Sequence, residues 1–184
     1  MKSIEKMEER LERVDMHDFF LQKIEKAMKE EKYIEASWLI YACIENRFFR
    51  TLQKYKEYCK YCKGKCRKNK NELAISTKIA CIKRLVEANV TCMSESFSIE
   101  LLEKTRLWIK NRNNMMHDLL SLESYQNMDE GFKELATNGQ DILNDLYSAC
   151  TIFRSKFFAN DYNFVFPNEA MEGCSCKPRS NNEN

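Results

Sequence analysis

Apolar side chains recur along this chain at helical spacing, and where the recurrence starts and stops predicts its elements. Ile4, Met7, Leu11 and Val14, then Phe20, Ile24, Ala27 and Met28, mark residues 3 to 31 as one or two helices with an interruption near Asp15. From Tyr33 to Tyr55 the apolar residues occupy more than one side (Ala36, Trp38, Leu39, Ile40, Ala42, Cys43, Ile44, Phe48, Phe49, Leu52), the pattern of a helix packed among several others. Residues 57 to 71, EYCKYCKGKCRKNKN, lose the period and predict a connector, after which a helix resumes from about Glu72 to Ala88. Ser98 ahead of Ile99 reads as the N-cap of a helix reaching about Leu122. Between about Asp129 and Phe158, a seam of Phe132, Leu135, Gly139, Ile142, Leu146, Ala149, Phe153 and Phe157 predicts a long helix. Its steps alternate between three and four residues except at the end. Such a seam packs along another helix, inside a bundle or across a dimer interface. Beyond Asn160 the chain turns polar and is expected to be an irregular or disordered tail.

Composition narrows this to one class. Only 4 Gly and 2 Pro occur in 184 residues, and both prolines (Pro167, Pro178) lie in the tail, so the turn chemistry of a many-stranded sheet is missing. The expectation is an all-α bundle of four to six helices, a single domain over residues 1–160 with its Cys- and Lys-rich connector at 57–71 and a tail at 161–184. Charged residues make up 32% of the chain, and no apolar run approaches the roughly 20 residues that span a bilayer. The opening MKSIEKMEERLERVD is too charged for a signal peptide, so the chain reads as cytoplasmic, with no membrane partner. Nine cysteines, an odd number without a secretion signal, argue for reduced thiols or a metal site over a disulfide framework.

The net charge of +2 names no partner, but its distribution is uneven. Between Lys54 and Arg84 eleven Lys or Arg face only Glu57 and Glu72, while from Glu123 to Asp145 six acids face only Lys133. A basic block of this kind can hold a phosphate backbone or can simply be solvated surface.

The residues with the most specific chemistry are Arg112, Asn113 and His117, in the run Arg-Asn-Asn-Met-Met-His of the fourth long helix. Arg10 and His17 satisfy a looser form of the same spacing, but on a charged N-terminal segment with no obvious site. The run at 112 to 117 resembles the RNxxxH form of the Arg-x4-6-His motif of HEPN domains, all-α bundles of many prokaryotic toxins and antiviral ribonucleases. The order of elements, with the motif in the C-terminal half of a late helix, also looks HEPN-like. The resemblance implies a homodimer in which two motifs meet in one cleft to cleave RNA. It further implies control by a cognate antitoxin or a sensor protein. In HEPN toxins paired with a nucleotidyltransferase antitoxin the motif continues as His-x-Tyr; here Asp118 and Leu119 follow His117, so control by modification of that tyrosine is not implied.

The residue types suit metal-independent cleavage of RNA to 2′,3′-cyclic phosphate ends. That reaction needs a proton acceptor for the ribose 2′-OH, a proton donor for the departing 5′-oxygen, and a cation beside the phosphorane. His117 suits proton transfer near neutral pH, and Arg112 can grip a phosphate with two parallel hydrogen bonds. On a helix the two lie about 140° apart around the axis and about 7.5 Å along it. Asn113 shares a face with His117, where its amide can hold the imidazole or contact substrate. Glu45 and Asn46, inside the otherwise apolar second helix, are candidates to support His117 or to bond a neighbouring helix. Alternatively Arg112 and His117 simply close a helix C-terminus, where positive charge is favoured.

Cys59, Cys62 and Cys66, spaced C-x2-C-x3-C, can supply three thiolates to a structural zinc, with Cys174 or Cys176 as the fourth; the alternative is a reduced, Lys-rich loop. Cys43, Cys81 and Cys150 lie on apolar helical faces and read as small core residues. Lys60, Lys63, Lys65, Arg67, Lys68 and Lys70 of the same loop, with Arg106 and Lys110 near the motif, are the candidate RNA-binding cations. Tyr55, Tyr58 and Tyr61 are available to stack on unpaired bases. Three functions follow: a HEPN endoribonuclease acting as toxin or antiviral effector, a non-catalytic helical module binding protein or nucleic acid through the basic Cys-rich loop, and a zinc-dependent regulator of the same fold.

Overall fold

A computed structural model describes residues 2–57, 74–119 and 125–159. Six helices account for nearly all of them: α1 (Lys2–Lys29), α2 (Tyr33–Glu57), α3 (Ile75–Glu87), α4 (Thr91–Ser94), α5 (Ile99–His117) and α6 (Tyr125–Ala159). There is no strand among the described residues, as the shortage of Gly and Pro requires. Residues 58–71 of the connector and the whole 161–184 tail lie outside the described residues.

The boundaries follow local chemistry. α1 runs unbroken through Asp15, where an interruption was expected. An Asp in mid-helix costs only about 0.7 kcal/mol against Ala, and no Gly or Pro stands nearby to break the helix. It stops where the Lys32 N–H bonds Ala27 O at 2.8 Å and the Glu31 N–H bonds Met28 O at 3.2 Å. Glu31 there takes the left-handed conformation, with φ 56°. α3 ends in the same motif, with Val90 N–H on Leu85 O at 3.0 Å and Asn89 N–H on Val86 O at 2.9 Å. Its left-handed residue is Asn89, a side chain that tolerates the position better than Glu. Ser98 caps α5 as expected, its Oγ accepting the Leu101 N–H at 3.0 Å. The four-residue α4 escaped the sequence pattern because one turn leaves no period to read.

The chain forms two compact units, residues 1–43 with 108–141 (unit 1) and residues 44–107 with 142–184 (unit 2), so α2, α5 and α6 each contribute to both. Unit 2 holds a core of large side chains, with Ile44, Phe48, Ile82, Met93, Phe97, Leu102, Leu146 and Phe153 buried. The Phe97 and Phe153 rings lie 6.2 Å apart. The buried Lys78 donates to Glu45 Oε1 at 2.8 Å. Unit 1 is built on smaller residues: Ala27, Ala36 and Ala136 form a cluster against which Met28 and Tyr33 pack. Trp108 lies against Gly139, where an added Cβ would stand 2.5 Å from the ring, and its indole N–H donates to Leu135 O at 2.8 Å. The α6 seam is buried from Phe132 to Phe153 within this single chain, which settles its alternatives: it packs inside the bundle.

Candidate active site

α5 carries the motif and ends on it. His117 is its last helical residue, and the Asp118 N–H closes the turn on Asn114 O at 2.9 Å. The helix is therefore shorter than the expected reach to Leu122; residues 120–124 lie outside the described ones. His117 is exposed, whereas Arg112, on the preceding turn, is buried to 6% exposure.

Arg112 is held by aromatic faces from α2. Its guanidinium carbon lies 4.0 Å from the centre of the Trp38 ring and 4.7 Å from that of Tyr41, within the range of cation–π attraction. One nitrogen is satisfied: Nη1 donates to Asn113 Oδ1 at 3.1 Å. Nε and Nη2 are buried and meet no acceptor among the described residues. Burial pulls the Arg112 pKa below the ordinary guanidinium value, with Tyr41 acting in the opposite sense. Two rings offset the charge only in part, since a ring face accepts a cation but leaves the N–H groups around its edge unbonded. The three N–H groups on Nε and Nη2 thus meet no acceptor among the described residues, and a phosphate or carboxylate oxygen would satisfy them.

The structure divides the remaining candidates. Arg112, Asn113, His117 and Lys110 belong to unit 1, and Lys110 is exposed on α5 two residues before Arg112. Glu45, Asn46 and Arg106 belong to unit 2. Glu45 is engaged by Lys78, Arg106 bonds Glu103 through its Nε at 2.8 Å, and Asn46 is exposed. The loop cations Lys60, Lys63, Lys65, Arg67, Lys68 and Lys70 lie outside the described residues. So do the zinc candidates Cys59, Cys62, Cys66, Cys174 and Cys176. Among the described residues no cluster of His, Cys, Asp and Glu has the make-up of a metal site. Cys43 and Cys150 are buried as expected and are joined by Cys92, whereas Cys81, also expected in the core, is only half-buried. Burial pushes the Cys92 thiol up to about 11 and raises that of Cys150.

The residues that sequence reasoning passed over are Trp38 and Tyr41. Their separation by three positions on α2 was visible, but it read as one more apolar face; only the packing of α2 on α5 in unit 1 sets both rings on Arg112. Comparison with family models, with curated proteins and with solved structures finds no match. Among the described residues, no helix is long and apolar enough to cross a membrane.

Proposed function

We propose that this chain is a metal-independent endoribonuclease of HEPN type, acting as a homodimer in a toxin or antiviral role under the control of an antitoxin or sensor protein. The observation that carries the reading is Arg112: a buried guanidinium with unmatched Nε and Nη2 donors, on the helix whose last residue is the exposed His117. A buried donor left without an acceptor costs about 1–3 kcal/mol, and a site that supplies an anion in trans turns that cost into binding. Arg112 binds the scissile phosphate, and Asn113, bonded to Arg112 Nη1, positions it. His117 moves a proton: it takes the 2′-OH proton as that oxygen attacks phosphorus, or protonates the 5′-oxygen as the P–O bond breaks. The second motif of a dimer supplies the other transfer. The products are a 2′,3′-cyclic phosphate and a free 5′-hydroxyl.

The test is cleavage of RNA by the wild type beside His117→Ala and Arg112→Ala, each with helical content and oligomeric state confirmed. Loss of general acid–base catalysis predicts a fall of about a hundredfold to ten-thousandfold for His117→Ala. Activity should persist in EDTA, and the ends should be cyclic phosphates. Equal cleavage by wild type and both variants, or an inert wild type, overturns the reading.

A further inference from the structure

The unmatched donors of Arg112 lie beside a second feature. Trp38, whose ring covers the guanidinium, is 51% exposed, a large apolar ring left in water while the chain's other tryptophan, Trp108, is 4% exposed. An indole left half exposed keeps apolar area in water, and one face of the ring meets the Arg112 guanidinium. Both features belong to unit 1 and to one contact, so a ligand satisfying them together would carry an anionic oxygen for Nε and Nη2 and a flat, unpaired ring for Trp38. A nucleotide in a single strand has both, with phosphate and base separated by one sugar. Nucleobases stack on aromatic side chains with little regard to sequence.

We infer that Trp38 and Arg112 form a nucleotide clamp, in which a single-stranded RNA phosphate bonds Arg112 Nε and Nη2 while the adjoining unpaired base stacks on Trp38. The inference rests on the ribonuclease reading for its substrate and deepens it by naming the nucleotide that the site holds. Nε and Nη2 are covered in the structure, and the Trp38 and Tyr41 rings both stand over the guanidinium; on this inference the half-exposed Trp38 is the ring that swings aside to admit the phosphate. The ring exchanges its cation–π partner for a base, and Arg112 exchanges a ring face for phosphate oxygens. Duplex RNA, with its bases stacked on one another, has no free face to offer and is a poor ligand.

The experiment is binding of a short single-stranded oligoribonucleotide, 2′-O-methylated throughout so that it cannot be cleaved, followed by tryptophan emission and acrylamide quenching on the full chain. Because Trp108 is buried, the quenchable signal reports Trp38. The oligonucleotide should protect Trp38 from acrylamide. Trp38→Leu should weaken its binding roughly ten- to hundredfold, the range for losing one base stack. The same variant should bind inorganic phosphate at least as well as wild type, since the cover is gone. Arg112→Met should lose both ligands while keeping the fold. Equal affinity of wild type and Trp38→Leu, or unchanged quenching with the oligonucleotide bound, overturns the clamp. The two readings fail separately. Cleavage that needs Arg112 and His117 in a chain whose Trp38→Leu variant binds normally keeps the nuclease and discards the clamp. Trp38-dependent binding without His117-dependent cleavage does the reverse.

Discussion

Among the described residues each unit of this chain buries one cation, and the two are treated oppositely. In unit 2, Lys78 is 3% exposed and its ammonium is answered by the Glu45 carboxylate at 2.8 Å. In unit 1, Arg112 is 6% exposed, faces two aromatic rings and leaves Nε and Nη2 unanswered. A folding domain selected for stability alone would pair both or bury neither, because an unmatched buried donor costs about 1–3 kcal/mol. The contrast separates a cation whose charge is answered within the fold from one whose hydrogen-bonding capacity is not used up among the described residues.

Removing the partner in unit 2 and the charge in unit 1 should therefore have unlike effects. Glu45→Ala strands the Lys78 ammonium and should cost about 2–3 kcal/mol in urea denaturation, below the range for a fully buried pair because Glu45 is 36% exposed. Arg112→Met replaces a poorly matched charge by an apolar side chain of similar length and should change stability by less than about 1 kcal/mol; on the proposed ribonuclease reading it should also abolish RNA cleavage. A large loss for Arg112→Met with cleavage retained would make Arg112 a structural residue and erase the comparison.

The core of unit 2 should also be sensitive to alkali through its buried thiols. Cys92 has its pKa raised from 9.0 to about 11 by burial, and Cys150 is shifted in the same direction. The folded state holds the proton more tightly, so the stabilisation is complete below pH 9 and is lost as pH rises towards 11. For Cys92 this amounts to about 2 kcal/mol. The midpoint of unfolding should fall across that window, and Cys92→Ala should flatten the fall while lowering stability at neutral pH. A midpoint independent of pH between 9 and 11 would contradict it.

In unit 1 the sensitive packing is between helices. Gly139→Ala drives a methyl into the Trp108 ring and should lower stability by about 1–2 kcal/mol, overpacking outweighing the gain in helix propensity. Gly131→Ala meets only the mobile end of Met115, 2.8 Å from the new Cβ, and should be neutral or slightly stabilising in the same thermal melts. Another small effect belongs to the end of α1. Glu31→Gly relieves the left-handed strain at φ 56° and should add a few tenths to about 1 kcal/mol.

Much of this architecture was legible in the sequence because it depends on near neighbours. The Ser98 cap, the start of α2 at Tyr33 and the α6 seam from Phe132 to Phe153 follow from side-chain periodicity and local hydrogen bonding, which a linear sequence records directly. Asp15 misled because a polar residue weakens a helix without breaking it. The motif Arg112, Asn113 and His117 was equally plain as a string. What the string could not tell was that Arg112 is buried, His117 exposed, and Glu45 committed to Lys78 across 33 residues of chain. Nor could it tell that Trp38 and Tyr41, more than 70 positions from Arg112, supply the rings that hold it. The sequence by itself determined an all-helical chain and the place of its motif, because helix formation is governed by contacts three and four residues apart. The burial of one unmatched guanidinium between aromatic rings was decided only by tertiary structure, since it depends on which helix faces which, and no local pattern encodes that.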